Sequence, residues 1–163
     1  FGEYAPEQPE TLGEMEPLFE QLYHGCAVGL YDKMYQSIYR KKIGGLPCGY
    51  KITHKLGAWE TDLSLVKTFF SEGDLSQMPL VSKKSDQSWF LNEAGVALLN
   101  TGRPKEAKES LKRAIDLYVE NNQIAYASQC YQNLADLQFR TGELESGLGS
   151  AKKALDAAKK SKV

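Results

Sequence analysis

LNEAGVALLNTGRPKEAKESLKRAID (residues 91–116) and YQNLADLQFRTGELESGLGSAKKALD (residues 131–156) are two copies of one pattern, set 40 residues apart. Thr101-Gly102 falls on Thr141-Gly142, Ser110 on Ser150, Lys112 on Lys152, Ala114 on Ala154 and Asp116 on Asp156. Arg113 meets Lys153, and Ile115 meets Leu155. Small residues coincide as well: Gly95 with Ala135, and Ala107 with Gly147. Two antiparallel helices approach closely only where side chains are small, and glycine eases the tight turn between them. One such hairpin cannot bury its outer apolar row, so hairpins stack on one another. The repeat therefore predicts an all-α protein built from stacked antiparallel helix hairpins.

Outward from this core, helical period dominates the chain. Leu12, Met15, Phe19, Leu22 and Cys26 form one apolar stripe, broken at Gly29, and Tyr31, Met34, Tyr35, Ile38 and Tyr39 form a shorter one. Residues 43–50 (IGGLPCGY) disfavour a helix interior and predict a loop. Ile52, Leu56, Trp59, Leu63, Val66 and Phe70 follow spacings of four and three, which predicts one long amphipathic helix. After an irregular stretch over 72–87, a helix is expected to start near Asp86 as N-cap, lined by Leu91, Ala94, Gly95 and Leu98. Ala107, Leu111, Ala114, Ile115 and Tyr118 line the next. Ala127, Tyr131, Leu134 and Leu137 line a third, and Leu144, Leu148, Ala151, Leu155 and Ala158 the last. The count is about seven helices. The expected organisation is an extended lead-in over 1–11 and one helical-repeat domain over 12–163. Within that domain lie irregular repeats at 12–72, a loop at 73–86, and two clearer repeats at 87–121 and 124–161.

Composition narrows the function. The chain has 163 residues, 42% hydrophobic and 25% charged, with a net charge of −1. That is ordinary globular composition, and no global basic field argues for nucleic acid. Residues 1–22 carry six glutamates and no Lys or Arg, while residues 81–163 carry 13 Lys+Arg against 10 Asp+Glu. No apolar run approaches the ~20 residues that a membrane-spanning helix needs. Cys26, Cys48 and Cys130 are sparse and odd in number, which predicts free thiols and a cytoplasmic setting. The first residue is Phe1, so the chain reads as a piece of a longer protein.

No catalytic constellation emerges. There is no G-x-x-x-x-G-K-[ST] phosphate loop. Only His24 and His54 are available; His24 and Cys26, two apart on a helix, point in different directions and do not predict a metal site. His54 reads as a surface residue. Arg40-Lys41-Lys42 reads as a helix C-terminal basic run. The expectation is no catalytic residue, no cofactor and no metal.

The repeated residues resemble the tetratricopeptide family. Leu91, Ala94, Gly95, Leu98, Gly102, Ala107, Leu111 and Ala114 follow its pattern in the first copy. Tyr131, Leu134, Ala135, Gln138, Gly142, Gly147, Ala151 and Ala154 do so in the second. The period of 40 is longer than the usual ~34, and the motif's terminal proline is missing. Gly29-Leu30-Tyr31-Asp32-Lys33 looks like a degenerate turn of the same kind, and Lys55-Leu56-Gly57-Ala58 like a further Leu-Gly step. Residues 12–160 as a whole resemble the repeat region downstream of the ATPase in bacterial STAND-type signalling NTPases.

The resemblance implies a right-handed superhelical solenoid and a non-enzymatic protein–protein interaction module, the sensor or scaffold arm of a larger signalling protein. It also implies a ligand groove lined by the first helix of each pair. By register those positions are Asn92, Val96, Leu99 and Asn100, then Gln132, Asp136, Phe139 and Arg140. Lys55, Trp59 and Asp62 are further candidates upstream. Val96 and Asp136 break the carboxylate clamp of chaperone-tail binders, so such tails are not the expected ligand. The expected partners are a protein or peptide, or neighbouring domains of the same chain, with no nucleic acid and no membrane. The alternative is a structural linker or oligomerisation segment of a multidomain enzyme or regulator, with no ligand of its own.

Overall fold

The computed structural model of the protein describes residues 9–44 and 50–161. Helices dominate, no strand occurs among the described residues, and the chain divides into two compact units at Asp74–Leu75. The all-α, tetratricopeptide-like helical-repeat fold expected from the sequence is the fold observed.

The second unit holds four helices of 17 residues each: α4 (Lys84–Asn100), α5 (Pro104–Glu120), α6 (Ile124–Arg140) and α7 (Leu144–Lys160). Three-residue turns join them, so each helix begins 20 residues after the last and each hairpin 40 after the last. All three turns use the same hydrogen bonds. At the first, the amide of Gly102 donates to the carbonyl of Leu99 at 3.3 Å and that of Arg103 to Leu98 at 2.8 Å. At the third, Gly142 donates to Phe139 at 3.2 Å and Glu143 to Gln138 at 2.7 Å. This Schellman pattern satisfies the last carbonyls of the helix and needs a left-handed residue after the cap. Gly102 and Gly142 supply it with φ of 79° and 80°; at the middle turn Asn122 does so with φ 55°. The Thr101 and Thr141 hydroxyls donate back to Ala97 and Leu137, 2.9 and 3.0 Å away.

Close helix approach explains the small residues. A Cβ on Gly95 of α4 would lie 2.6 Å from Leu111 Cγ of α5. A Cβ on Gly147 of α7 would lie 2.7 Å from Phe139 Cε1 of α6. Buried serines lock the same seams: Ser110 donates to the Leu91 carbonyl at 2.8 Å, Ser128 to the Ala154 carbonyl at 2.7 Å, and Ser150 to Gln138 Oε1 at 2.7 Å. Arg113 reaches the preceding irregular segment, donating to the carbonyls of Leu75 and Gln77 at 2.8 and 2.9 Å.

The first unit is less regular. Thr11 caps α1 (Leu12–Ala27) in a reciprocal box with Glu14. Met15, Leu18, Leu22 and Cys26 are buried. Gly29, at φ 81°, ends the helix by the same Schellman bonding, as its degenerate-turn reading anticipated. α2 (Tyr31–Met34) then runs into a π-helical stretch, Tyr35–Ile43, and a second π-helical piece covers Tyr50–Lys55. The core of the expected 43–50 loop lies outside the described residues. α3 spans Trp59–Lys67. Tyr39 donates its hydroxyl to buried Asp62 and meets Phe69 edge-on, with ring centroids 6.2 Å apart.

Three expectations need correction. The long helix over 52–70 is broken, because Gly57 turns left-handed at φ 65° and the Ala58 amide donates to the Ile52 carbonyl. Lys55-Leu56-Gly57-Ala58 is thus a bend and not a helical Leu-Gly step. α4 starts at Lys84, with extended Lys83 as its cap residue, and Asp86 sits in the first turn. In α7 the buried row is Gly147, Ser150, Ala154 and Ala157, whereas Leu144, Leu148 and Leu155 face outward. The hairpin demands the small residues on its inner side, and that leaves the leucines on the next face of the helix.

Two substitutions probe this geometry. Gly102→Val places a β-branched residue at φ 79° and should destabilise the second unit by about 1–2 kcal/mol. Gly95→Val forces a methyl group into Leu111 and should cost about 1–3 kcal/mol. Urea unfolding would read both as lowered midpoints; an unchanged midpoint for either contradicts the described contact.

Candidate protein-binding surface

α4 and α6 are the first helices of the two hairpins, and polar side chains link them along one edge. Asn92 Oδ1 accepts from Asn133 Nδ2 at 2.9 Å and from Cys130 Sγ at 2.9 Å. Two turns further on, Arg140 Nη1 reaches Asn100 Oδ1 at 3.5 Å and Asp136 Oδ2 at 3.4 Å. Asn100 also donates to its own helix, at the Val96 carbonyl. Asn100, Asp136 and Arg140 are exposed, as is Gln132, while Asn92 and Val96 are half-buried. The surface presents a guanidinium, a carboxylate and several amides, groups that recognise peptide backbone and charged side chains.

The other predicted positions lie elsewhere. Leu99 is buried at 8% exposure and belongs to the packing between helices. Phe139 is 44% exposed, but its ring edge rests on Gly147 of α7, away from the Asn100–Arg140–Asp136 cluster. In the first unit Asp62 is fully buried against Tyr39, Trp59 stands edge-on to His54 at 5.3 Å, and Lys55 pairs with Glu10. These three do not form a shared surface with one another through any of those contacts.

Sequence reading missed Asn133 and Cys130 as partners of Asn92. Their spacing of three on α6 was legible, but their orientation toward α4 depends on hairpin stacking. It also missed the stacked pair Tyr118–Tyr126, with centroids 5.6 Å apart and planes 17° from parallel. Burial and nearby negative charge push the Tyr118 hydroxyl far above its ordinary range. Glu143, in the α6–α7 turn, pairs with Lys108 of α5, which holds its carboxyl below the usual range.

Burial raises the thiols of Cys26 and Cys130, more strongly at Cys130. Among the described residues no group of three or more His, Cys, Asp or Glu is placed to hold a metal ion. His24 is exposed beside Glu20, and Cys26 is buried against Thr68. No helix among the described residues is long and apolar enough to cross a membrane.

The tetratricopeptide repeat family matches residues 90–118, from Phe90 in α4 to Tyr118 in α5. That interval is the first of the two hairpins, and it contains the Gly95–Leu111 approach and the Gly102 turn. Comparison with curated proteins and with solved structures gave no match. The family match and the helical architecture together support a tetratricopeptide-like domain. Repeats of this kind are in general protein–protein interaction modules and typically non-catalytic.

The two buried thiols give a direct check of the packing. Cys26 and Cys130 should resist alkylation at neutral pH and react readily once the chain is unfolded in denaturant, as read by peptide mass mapping. Fast native labelling of Cys130 would contradict its place between α6 and α4.

Proposed function

We propose that this chain is a non-enzymatic protein-binding module of the cytoplasm, the sensor or scaffold arm of a larger signalling protein such as a STAND-type ATPase. The ligand is a protein or peptide segment laid across α4 and α6. Asn100, Asp136 and Arg140 contact it through hydrogen bonds and charge, with Gln132 and Val96 alongside. What supports this reading is a tetratricopeptide match on a hairpin that the chain then repeats, with an open polar cluster on the paired first helices. Asn92 acts mainly by holding α4 to α6, because its carbonyl oxygen already accepts two bonds.

Affinity capture from native cytoplasm, with parent chain and Asp136→Ala/Arg140→Ala compared by mass spectrometry, tests the assignment. Both residues are exposed, so the variant should melt with the parent. A partner retained by the parent and reduced at least about tenfold by the variant is expected, as for loss of central charged contacts. Equal capture by both, with the fold intact, would remove the ligand from this surface.

A further inference from the structure

The segment from Leu75 to Lys83 enters the second unit without forming a helix. Its carbonyls at Leu75, Gln77, Pro79 and Val81, every second residue, accept hydrogen bonds from two side chains. Arg113 of α5 serves the first two, at 2.8 and 2.9 Å, and brings Nη2 within 3.5 Å of Met78 Sδ. Gln87 Nε2, near the start of α4, serves the other two, at 3.4 and 2.9 Å. Pro79 and Val81 are buried, whereas Met78 and Leu80 are 43% and 40% exposed.

The repeat supplies an internal comparison. Forty residues on, the same register holds residues 115–121, the last turns of α5 and its cap residue Asn121. A helix satisfies its own carbonyls through bonds between residues four apart. The segment over 75–83 stands at the corresponding place in the sequence, but it borrows donors from side chains of α4 and α5. Withdraw Arg113 and two of its carbonyls must find water instead. A guanidinium suits this task, because its planar fork reaches two acceptors at once.

We propose that residues 75–83 are a strap that opens as an element of its own, with Arg113 as its latch, while α4–α7 stay folded. Segments without helical hydrogen bonds and with exposed apolar side chains open at the low end of the free-energy scale. Closed, the strap fixes the chain against Gln87 and Arg113 ahead of the first hairpin. Open, its nine residues form a free connection of up to about 30 Å. The second unit thereby gains an adjustable length of chain at its entrance, governed by one side chain of α5.

Limited proteolysis of the 163-residue chain with thermolysin, which cuts beside apolar residues, tests the proposal. Cleavage between Leu75 and Val81 should be slow in the parent and at least about tenfold faster in Arg113→Ala, as for loss of two bonds from a charged donor. Arg113→Lys should speed it too, since one ammonium does not reproduce the fork, and Gln87→Ala should do so from the other end. Lys112→Ala, at the exposed neighbouring position, should leave the rate unchanged. Chains cut in the strap should keep their helical circular dichroism and resist further cutting within 84–160. Equal cleavage of the parent and Arg113→Ala overturns the latch. Cuts that appear in α4–α7 together with those in the strap overturn its separate opening.

Discussion

The close approach of paired helices at small residues is the constraint on which the rest of this structure depends. Gly95 admits Leu111, and Gly147 admits Phe139. A side chain at Gly95 would displace Leu111 and crowd the Ala107 carbonyl, and one at Gly147 would displace the ring of Phe139; packing is felt at the scale of one methyl group. Once the helices meet there, the turn between them is forced to be short. Three residues suffice only if one adopts a left-handed conformation, which Gly102 and Gly142 do without strain and Asn122 tolerates.

The fixed turn has consequences for the outer faces of the second unit. It sets the helix repeat at 20 residues, so α6 lies beside α4 in constant register and Asn92 finds Asn133, while Arg140 finds Asn100. The same register brings α5's apolar row under α6. It also carries the equivalent row of α7 to the outside, where the hairpin's inner side is already taken by Gly147, Ser150, Ala154 and Ala157. One periodic rule thus generates the polar face proposed to take a ligand and the outward leucine row of α7.

The first unit shows how far the rule reaches. Its α1 closes with the same glycine turn, yet the following segments wind as π-helix and break at Gly57. Its core relies on aromatic and polar contacts, Tyr39 with Asp62 and Phe69, in place of a repeated small-residue seam. Periodicity alone could not separate one helix over 52–70 from two pieces. The apolar spacing continues smoothly across Gly57, and glycine is tolerated in either state.

The sequence by itself determined the all-α class, the 40-residue hairpin, the turn glycines and most of the buried rows of α4, α5 and α6. Those features rest on local chemistry: helical period, backbone freedom and residue size. Tertiary structure alone decided which of two adjacent apolar rows on α7 faces inward, because both have helical spacing and only the partner helix chooses the smaller. It also decided that Phe139 turns to Gly147, that Leu99 is covered, and that Asn92 is occupied by Cys130 and Asn133. A side chain's partners across a stack depend on helix rotation and spacing, and these emerge only when the hairpins pack.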